Sequence, residues 1–391
     1  MSWPANSARR PGDEDAGIHV TDAFERFRQR DDVFTRAFWD DTVKSRSTEA
    51  FFKSYRMEAA PRRGDGFTQR DFALRNASWL ISDLISERAG AEGRREGFQA
   101  AIGYDTPVAP ERVEVEDPSV QAREIKRLAR FFGADLCGIT DFDERWTYAA
   151  RVDVRDFSEA PNDLPEATSV IVLGHQMEAA LVDTYPSALA GAATGREYSH
   201  EAAIVMQLAA YIRNLGYEAV PSMNDTGAVI PYALKAGLGE YARNQLVITP
   251  EFGPRLRFSK IYTNLPLAHD APRRLGVAKV CDICTRCASA CPAKALPFGP
   301  PEQAEGRSVQ KGVIKWTSDA EACFGYWAKL ASDCAICLRV CPFNRDFSRL
   351  RNRLWLKLAL SRLRRLALWL DDKSGRAARA KPKDWWAAIR R

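Results

Sequence analysis

At 391 residues, 46% hydrophobic and 28% charged, the chain has the composition of a folded globular protein long enough for more than one substructure. No run approaches about 18 uninterrupted apolar residues, which argues against a transmembrane helix. The net charge of +6 is uneven: residues 351–391 hold 13 Lys/Arg against 3 Asp/Glu, so the remainder is mildly acidic and overall basicity does not argue for nucleic-acid binding.

Residues 1–20 are polar and charged, and are expected to be a poorly ordered terminus. Arg9-Arg10 invites a twin-arginine reading, but Pro11-Gly-Asp-Glu-Asp15 stands where an apolar export region would be needed. A cytoplasmic location is therefore expected. Residues 21–115 mix aromatic and charged side chains without clean periodicity and read as a segment wrapping a neighbouring domain. From 116 to 272 helical and strand patterns alternate. A helix is predicted over Val120–Phe132, then a strand over Asp135–Ile139 in which Cys137 is a small buried hydrophobe. Ser169–Leu173 reads as a buried strand, 199–215 as an alanine-rich helix, and Tyr217–Val220 as a strand. Pro221–Gly227 is a turn, Ala228–Ala236 a helix, and Leu246–Thr249 with Arg255–Leu265 a strand pair. This predicts an α/β or α+β domain. A basic, leucine-rich helix over Leu354–Leu370 is expected to pack its apolar face on its own domain, with the Trp385-Trp386 pair anchoring the tail.

Between these parts, residues 273–350 contain eight of the nine cysteines. Cys281, Cys284, Cys287 and Cys291-Pro292 follow C-x2-C-x2-C-x3-C-P; Cys323, Cys334, Cys337 and Cys341-Pro342 form a looser second run. The first run is a bacterial ferredoxin pattern, in which three thiolates cap one cubane and the fourth reaches the other. That logic assigns Cys281, Cys284, Cys287 and Cys341 to one [4Fe–4S] cluster. The other takes Cys323, Cys334, Cys337 and Cys291. Disulfides would need an oxidising compartment, and zinc rarely uses a third Cys two residues on plus Cys-Pro.

Three earlier stretches carry chemistry-bearing residues: Arg196-Glu-Tyr198-Ser-His200, Pro221-Ser-Met-Asn224-Asp225-Thr-Gly227, and Gly237-Leu-Gly-Glu240 running on to Arg257 and Lys260. The Gly-Leu-Gly element suggests close approach of backbone to a large flat or charged ligand. Together with Ile248-Thr-Pro-Glu-Phe-Gly-Pro254, Thr263-Asn-Leu-Pro-Leu267, Cys323-Phe-Gly-Tyr-Trp327 and the Arg26-Phe-Arg-Gln-Arg30 stretch, they resemble the catalytic subunit of corrinoid-dependent reductive dehalogenases. The likeness extends from about residue 20 to the end.

The resemblance implies a nitroreductase-like cobalamin-binding domain followed by a two-[4Fe–4S] ferredoxin-like module. It implies a base-off cobalamin with no protein His ligand, since no His of the chain lies in an Asp-x-His-x-x-Gly context. It puts Ser222, Met223, Asn224, Gly237, Gly239 and Lys260 at the cofactor, Tyr198 as proton donor, Arg257 as the cation stabilising its phenolate, and Asn224 orienting substrate. An organohalide, haloaromatic or haloalkene, would be the substrate, reduced by Co(I). A separate ferredoxin or flavodoxin would supply electrons, docking on the basic 351–391 region. Peripheral membrane contact and a homodimer are compatible with it; nucleic acid is not expected. Epoxyqueuosine reductase, which shares the Ala-Gly-Leu-Gly feature and uses an Asp near Asp225, is the nearest rival, and a non-catalytic iron–sulfur carrier is the rival from another class.

Overall fold

The computed structural model describes residues 8–55, 64–93, 106–162, 164–223 and 225–388. Its centre is a four-stranded sheet of β1 (Leu136–Asp141), β2 (Ser169–Gln176), β3 (Ala219–Ser222) and β4 (Leu256–Thr263), in the order β1-β2-β4-β3. Every pairing in it is antiparallel, which makes the domain α+β. Side chains alternate across the sheet. Ile139, Ile171, Leu173 and Ile261 face one side; Val170, Val172, Phe258 and Tyr262 face the other.

Of the helices, those used below are, in chain order, α1 (Gln69–Ala91), α2 (Pro118–Phe132), α3 (Ala188–Asn214), α4 (Ile230–Lys235), α5 (Leu350–Ala359) and α6 (Arg364–Lys373). Helix α3 begins where Ser187 accepts a hydrogen bond from the Ala190 amide, a turn or more earlier than the sequence reading placed it. It lays Val205, Leu208 and Ile212 on the first sheet face, while α4 covers the second. Helix α1 lies along α3 at close range. A Cβ on Gly195 would come within 2.2 Å of the Trp79 ring, so only glycine admits this approach.

Several expectations are corrected. Residues 8–20 are packed: Arg145 pairs with Asp13 at 2.8 Å, Ile18 and Val20 are buried, and His19–Val20 pairs with Val313–Ile314. Val247–Ile248 pairs with Glu240–Tyr241, while β4 is taken up by β2 and β3, so the two predicted strands are not partners. The single basic helix is two, because Ser361 turns its hydroxyl to the Leu358 carbonyl and accepts from the Leu363 amide, ending α5 before α6 starts. Trp355, Ala359 and Ala367 bury the inner face of this pair against Val277, Val280 and Cys281. In the tail, the Trp385 and Trp386 indoles donate to Glu178 (3.0 Å) and Asp71 (2.8 Å). Among the described residues no helix is long and apolar enough to cross a membrane.

Candidate active site

A cavity of about 550 Å³ opens between the sheet, α1, α3 and the cysteine-rich segment. One wall is aromatic: Phe34, Phe51, Phe52, Tyr55, Trp79 and Trp327. The lining also includes a mostly apolar ledge made by Val229–Ile230, Gln245–Val247, Leu256 and Phe258. Tyr198 and Arg257 line the same cavity. Arg257 projects from β4 and Tyr198 from α3, so sheet and helix packing brings them together. The guanidinium donates to the phenol oxygen and also lies 4.3 Å from the centroid of the same ring. Burial pushes Arg257 down to about 10, with Tyr185 and Asp333 opposing that shift, so it stays a cation at neutral pH. Its cross-strand partner, His175, shares a 2.9 Å hydrogen bond with Ser259 and is held neutral by burial, down to about 3.

Of the other residues expected at the cofactor, Ser222, Met223, Gly237, Gly239 and Lys260 do not line this cavity. Lys260 is fully buried and donates to Ser222 Oγ (3.0 Å), Met223 O (2.6 Å) and Asp225 O (2.9 Å). Its ammonium thus clamps the turn after β3 from beneath, and neither it, Ser222 nor Met223 lines the cavity. Asn224 lies outside the described residues. Gly237 and Gly239 are needed for a different close approach. A Cβ at Gly237, where φ is +67°, would meet the Ala271 carbonyl at 2.3 Å, and one at Gly239 the Ile248 carbonyl at 2.4 Å. The backbone they admit is the protein's own. Glu240, which closes that motif, accepts hydrogen bonds from the amides of Leu275, Gly276, Val277 and Ala278, and so holds the segment that leads into Cys281.

The two cysteine runs interleave: Cys284 and Cys341 pack with Cys281, and Cys291 and Cys337 pack with Cys287. Burial pushes Cys281 and Cys334 up to about 12, and Cys287 and Cys323 up to about 11. Loading iron must therefore displace protons from a largely apolar setting. Interleaving is what a pair of cubanes requires when each takes a thiol from the other run, the expected quartets being Cys281, Cys284, Cys287 and Cys341, and Cys323, Cys334, Cys337 and Cys291. The second lies next to the cavity, because Trp327 and Asp333 line it while flanking Cys323 and Cys334.

Sequence reasoning missed Trp79, Tyr185 and Asp333. Trp79 stacks on Tyr198 with centroids 4.8 Å apart. Asp333 accepts from Tyr55 (3.2 Å) and Tyr185 (3.4 Å), and Tyr185 also bonds Thr194 at 2.8 Å. Only the position of Asp333 beside Cys334 could have drawn attention to it.

Residues 280–344 match the 4Fe-4S double cluster binding domain. Over 94% of its length the chain is 34% identical to the tetrachloroethene reductive dehalogenase of Sulfurospirillum multivorans, of which the match covers 83%. The chain belongs to the reductive dehalogenase family. A tetrachloroethene reductive dehalogenase of Desulfitobacterium hafniense is 36% identical over 59% of the chain and 49% of its own length. The solved structure of a catabolic reductive dehalogenase superposes with a TM-score of 0.71 at 23% identity, over 93% of this chain and 48% of that one. The dehalogenase fold is thus shared, and the chain spans about half the length of these last two relatives.

Proposed function

We propose that the chain is the catalytic unit of a reductive dehalogenase that replaces the halogen of a haloaromatic or haloalkene by hydrogen. Two electrons and one proton are consumed, and halide is released. The observation that carries this reading is the Tyr198–Arg257 pair on the wall of an aromatic cavity that adjoins a cysteine quartet.

Cobalamin, when bound on the Val229–Ile230 and Gln245–Val247 ledge, would supply the strongly reducing cobalt for the carbon–halogen bond. The residues of the chain have three tasks. The aromatic wall excludes water and holds a flat, apolar substrate edge-on or stacked. Tyr198 gives its phenolic proton to the carbon that loses halide, and Arg257 stabilises the phenolate left behind. The two quartets hold the clusters that carry electrons inward from a separate ferredoxin or flavodoxin, in a cytoplasmic setting. The basic outer face of α5 and α6 is the docking site for that donor, and a homodimer is compatible with this arrangement.

The test is an anaerobic assay of reconstituted protein, with iron and cobalt counted beforehand. Reduced methyl viologen and a panel of halogenated phenols and alkenes would be supplied, and halide followed for wild type and Tyr198→Phe. Cobalamin-dependent halide release that collapses in the Tyr198 variant supports the assignment. Cobalt bound without halide release moves the reading to another corrinoid reductase, and failure to bind cobalt overturns it.

A further inference from the structure

Two buried charges that the proposed chemistry does not use stand beside the two quartets, and their signs are opposite. Arg243 is 2% exposed. It donates to the Cys281 carbonyl through Nε (3.2 Å) and Nη2 (2.8 Å), and through Nη1 to Pro297 O (2.9 Å) and Gly299 O (2.7 Å). All four bonds go to carbonyl oxygens. Among the described residues no carboxylate lies within ion-pair distance of it, so its charge is undiminished where it meets the first quartet. Arg286, also near that quartet, is by contrast neutralised by Asp371 and Asp372.

Asp333 is 3% exposed and precedes Cys334 in the chain. Its two hydrogen bonds come from the neutral phenols of Tyr55 and Tyr185. Among the described residues no cation lies within 4 Å of it. Arg75 and Arg257 feel it from further off, but Arg75 is engaged with Ala331 O and Ser54 O, and Arg257 with Tyr198.

Reducing a cluster adds negative charge. A neighbouring cation stabilises the reduced form and raises the potential; a neighbouring anion does the reverse, and both effects are strong where solvent is excluded. We propose that Arg243 and Asp333 hold the two clusters at different potentials, the Cys281/Cys284/Cys287/Cys341 cluster higher and the Cys291/Cys323/Cys334/Cys337 cluster lower. The distal cluster is then the easier to fill, and the cluster against the cavity is the stronger reductant. A strong reductant is what the hard step at the cavity requires. This inference rests on the two-cluster reading of the quartets and concerns positioning of charge, not contact with substrate.

The experiment is a redox titration of the loaded holoprotein followed by electron paramagnetic resonance, after iron has been counted at about eight per chain. Wild type is expected to show two separate midpoints. Asp333→Asn, which keeps an oxygen for the phenols, should move only the lower one upward, and Asp333→Glu should return it towards the wild-type value. Arg243→Gln should move only the higher one downward; should that variant fail to load, the Asp333 pair decides by itself. Coincident wild-type midpoints, or an Asp333→Asn protein in which the lower midpoint is unmoved or the higher one shifts instead, would overturn the inference. Iron well short of eight in wild type would overturn the two-cluster reading beneath it.

Discussion

The guanidinium of Arg257 binds Tyr198 twice, through a hydrogen bond to its oxygen and through its position 4.3 Å from the ring centroid. Both contacts grow stronger as the phenol becomes phenolate, so the pair favours the state in which Tyr198 has given its proton away. Arg257→Gln keeps a donor but removes the charge, and dehalogenation is expected to fall by about 100-fold or more, the range for loss of a positioned electrostatic donor. Arg257→Lys, which keeps the charge but cannot reproduce the fork, should fall between the two. Rates compared at matched iron and cobalt content would decide; equal rates for the wild-type and Gln proteins would remove Arg257 from the chemistry.

The ring of Tyr198 is also held by Trp79, stacked at 4.8 Å, and Trp79 is in place because Gly195 has no side chain. Gly195→Ala puts a methyl 2.2 Å from the indole, too close for any rotamer change of the methyl to relieve. Overpacking of this kind costs about 1–3 kcal/mol. The expected result is a lowered Tm, altered tryptophan fluorescence, and a loss of dehalogenation larger than the loss of folded protein. An active Gly195→Ala enzyme with unchanged fluorescence would show that the α1–α3 contact does not position Tyr198.

Glu240 offers a third test, remote from the cavity. Its carboxylate accepts from four successive amides at the start of the segment carrying Cys281. Glu240→Gln removes the charge and one of the accepting oxygens, with an expected cost of about 1.5–3 kcal/mol, as for hydrogen bonds to a charged group. Iron should be lost from the first quartet before the second. Chemical unfolding combined with iron counts checks this, and a variant with wild-type stability and full iron would overturn it.

What could be read from the sequence was local chemistry. The first cysteine run declares itself because three thiolates on one tight loop fix its spacing, and the second shows through Cys334, Cys337 and Cys341-Pro342 although Cys323 stands apart. Tyr198 and Arg257 are a helix and a strand residue far apart in sequence, and only family likeness put them in one site. Gly237 and Gly239 show the limit of such reasoning. A glycine signals that something comes close, but the sequence does not say what; here it is the carbonyls of Ala271 and Ile248. Asp333 and Arg243 carry no motif, because a buried charge acts through its distance from the cysteines and the dryness around it. Helix α5 ends at a serine whose hydroxyl competes for backbone groups, a local bond that the leucine periodicity running through it hides.

Glu197, next to Tyr198 on α3, gives a prediction in pH. Its side chain is buried, one oxygen lacks a hydrogen-bond partner, and the nearest cation, Arg196, stands 3.6 Å away and half exposed. Burial pushes the carboxyl up to about 7, against an ordinary value of 4.5, with Arg196 opposing the shift and Asp135 adding to it. Between those two values the folded protein holds a proton that the unfolded chain has released. Stability must then fall as pH rises through that window and level off above about 7. Glu197→Gln removes this dependence. The two proteins should unfold at similar temperatures near pH 4.5, and the Gln variant should be the more stable at pH 8. The buried Glu201 carboxyl, which burial and the neighbouring Glu197 both push up, is coupled to this group, so the difference between the two pH profiles reports Glu197 together with its effect on Glu201. Parallel profiles would mean that its carboxyl finds solvent or a partner in the native protein and ionises as an ordinary glutamate does.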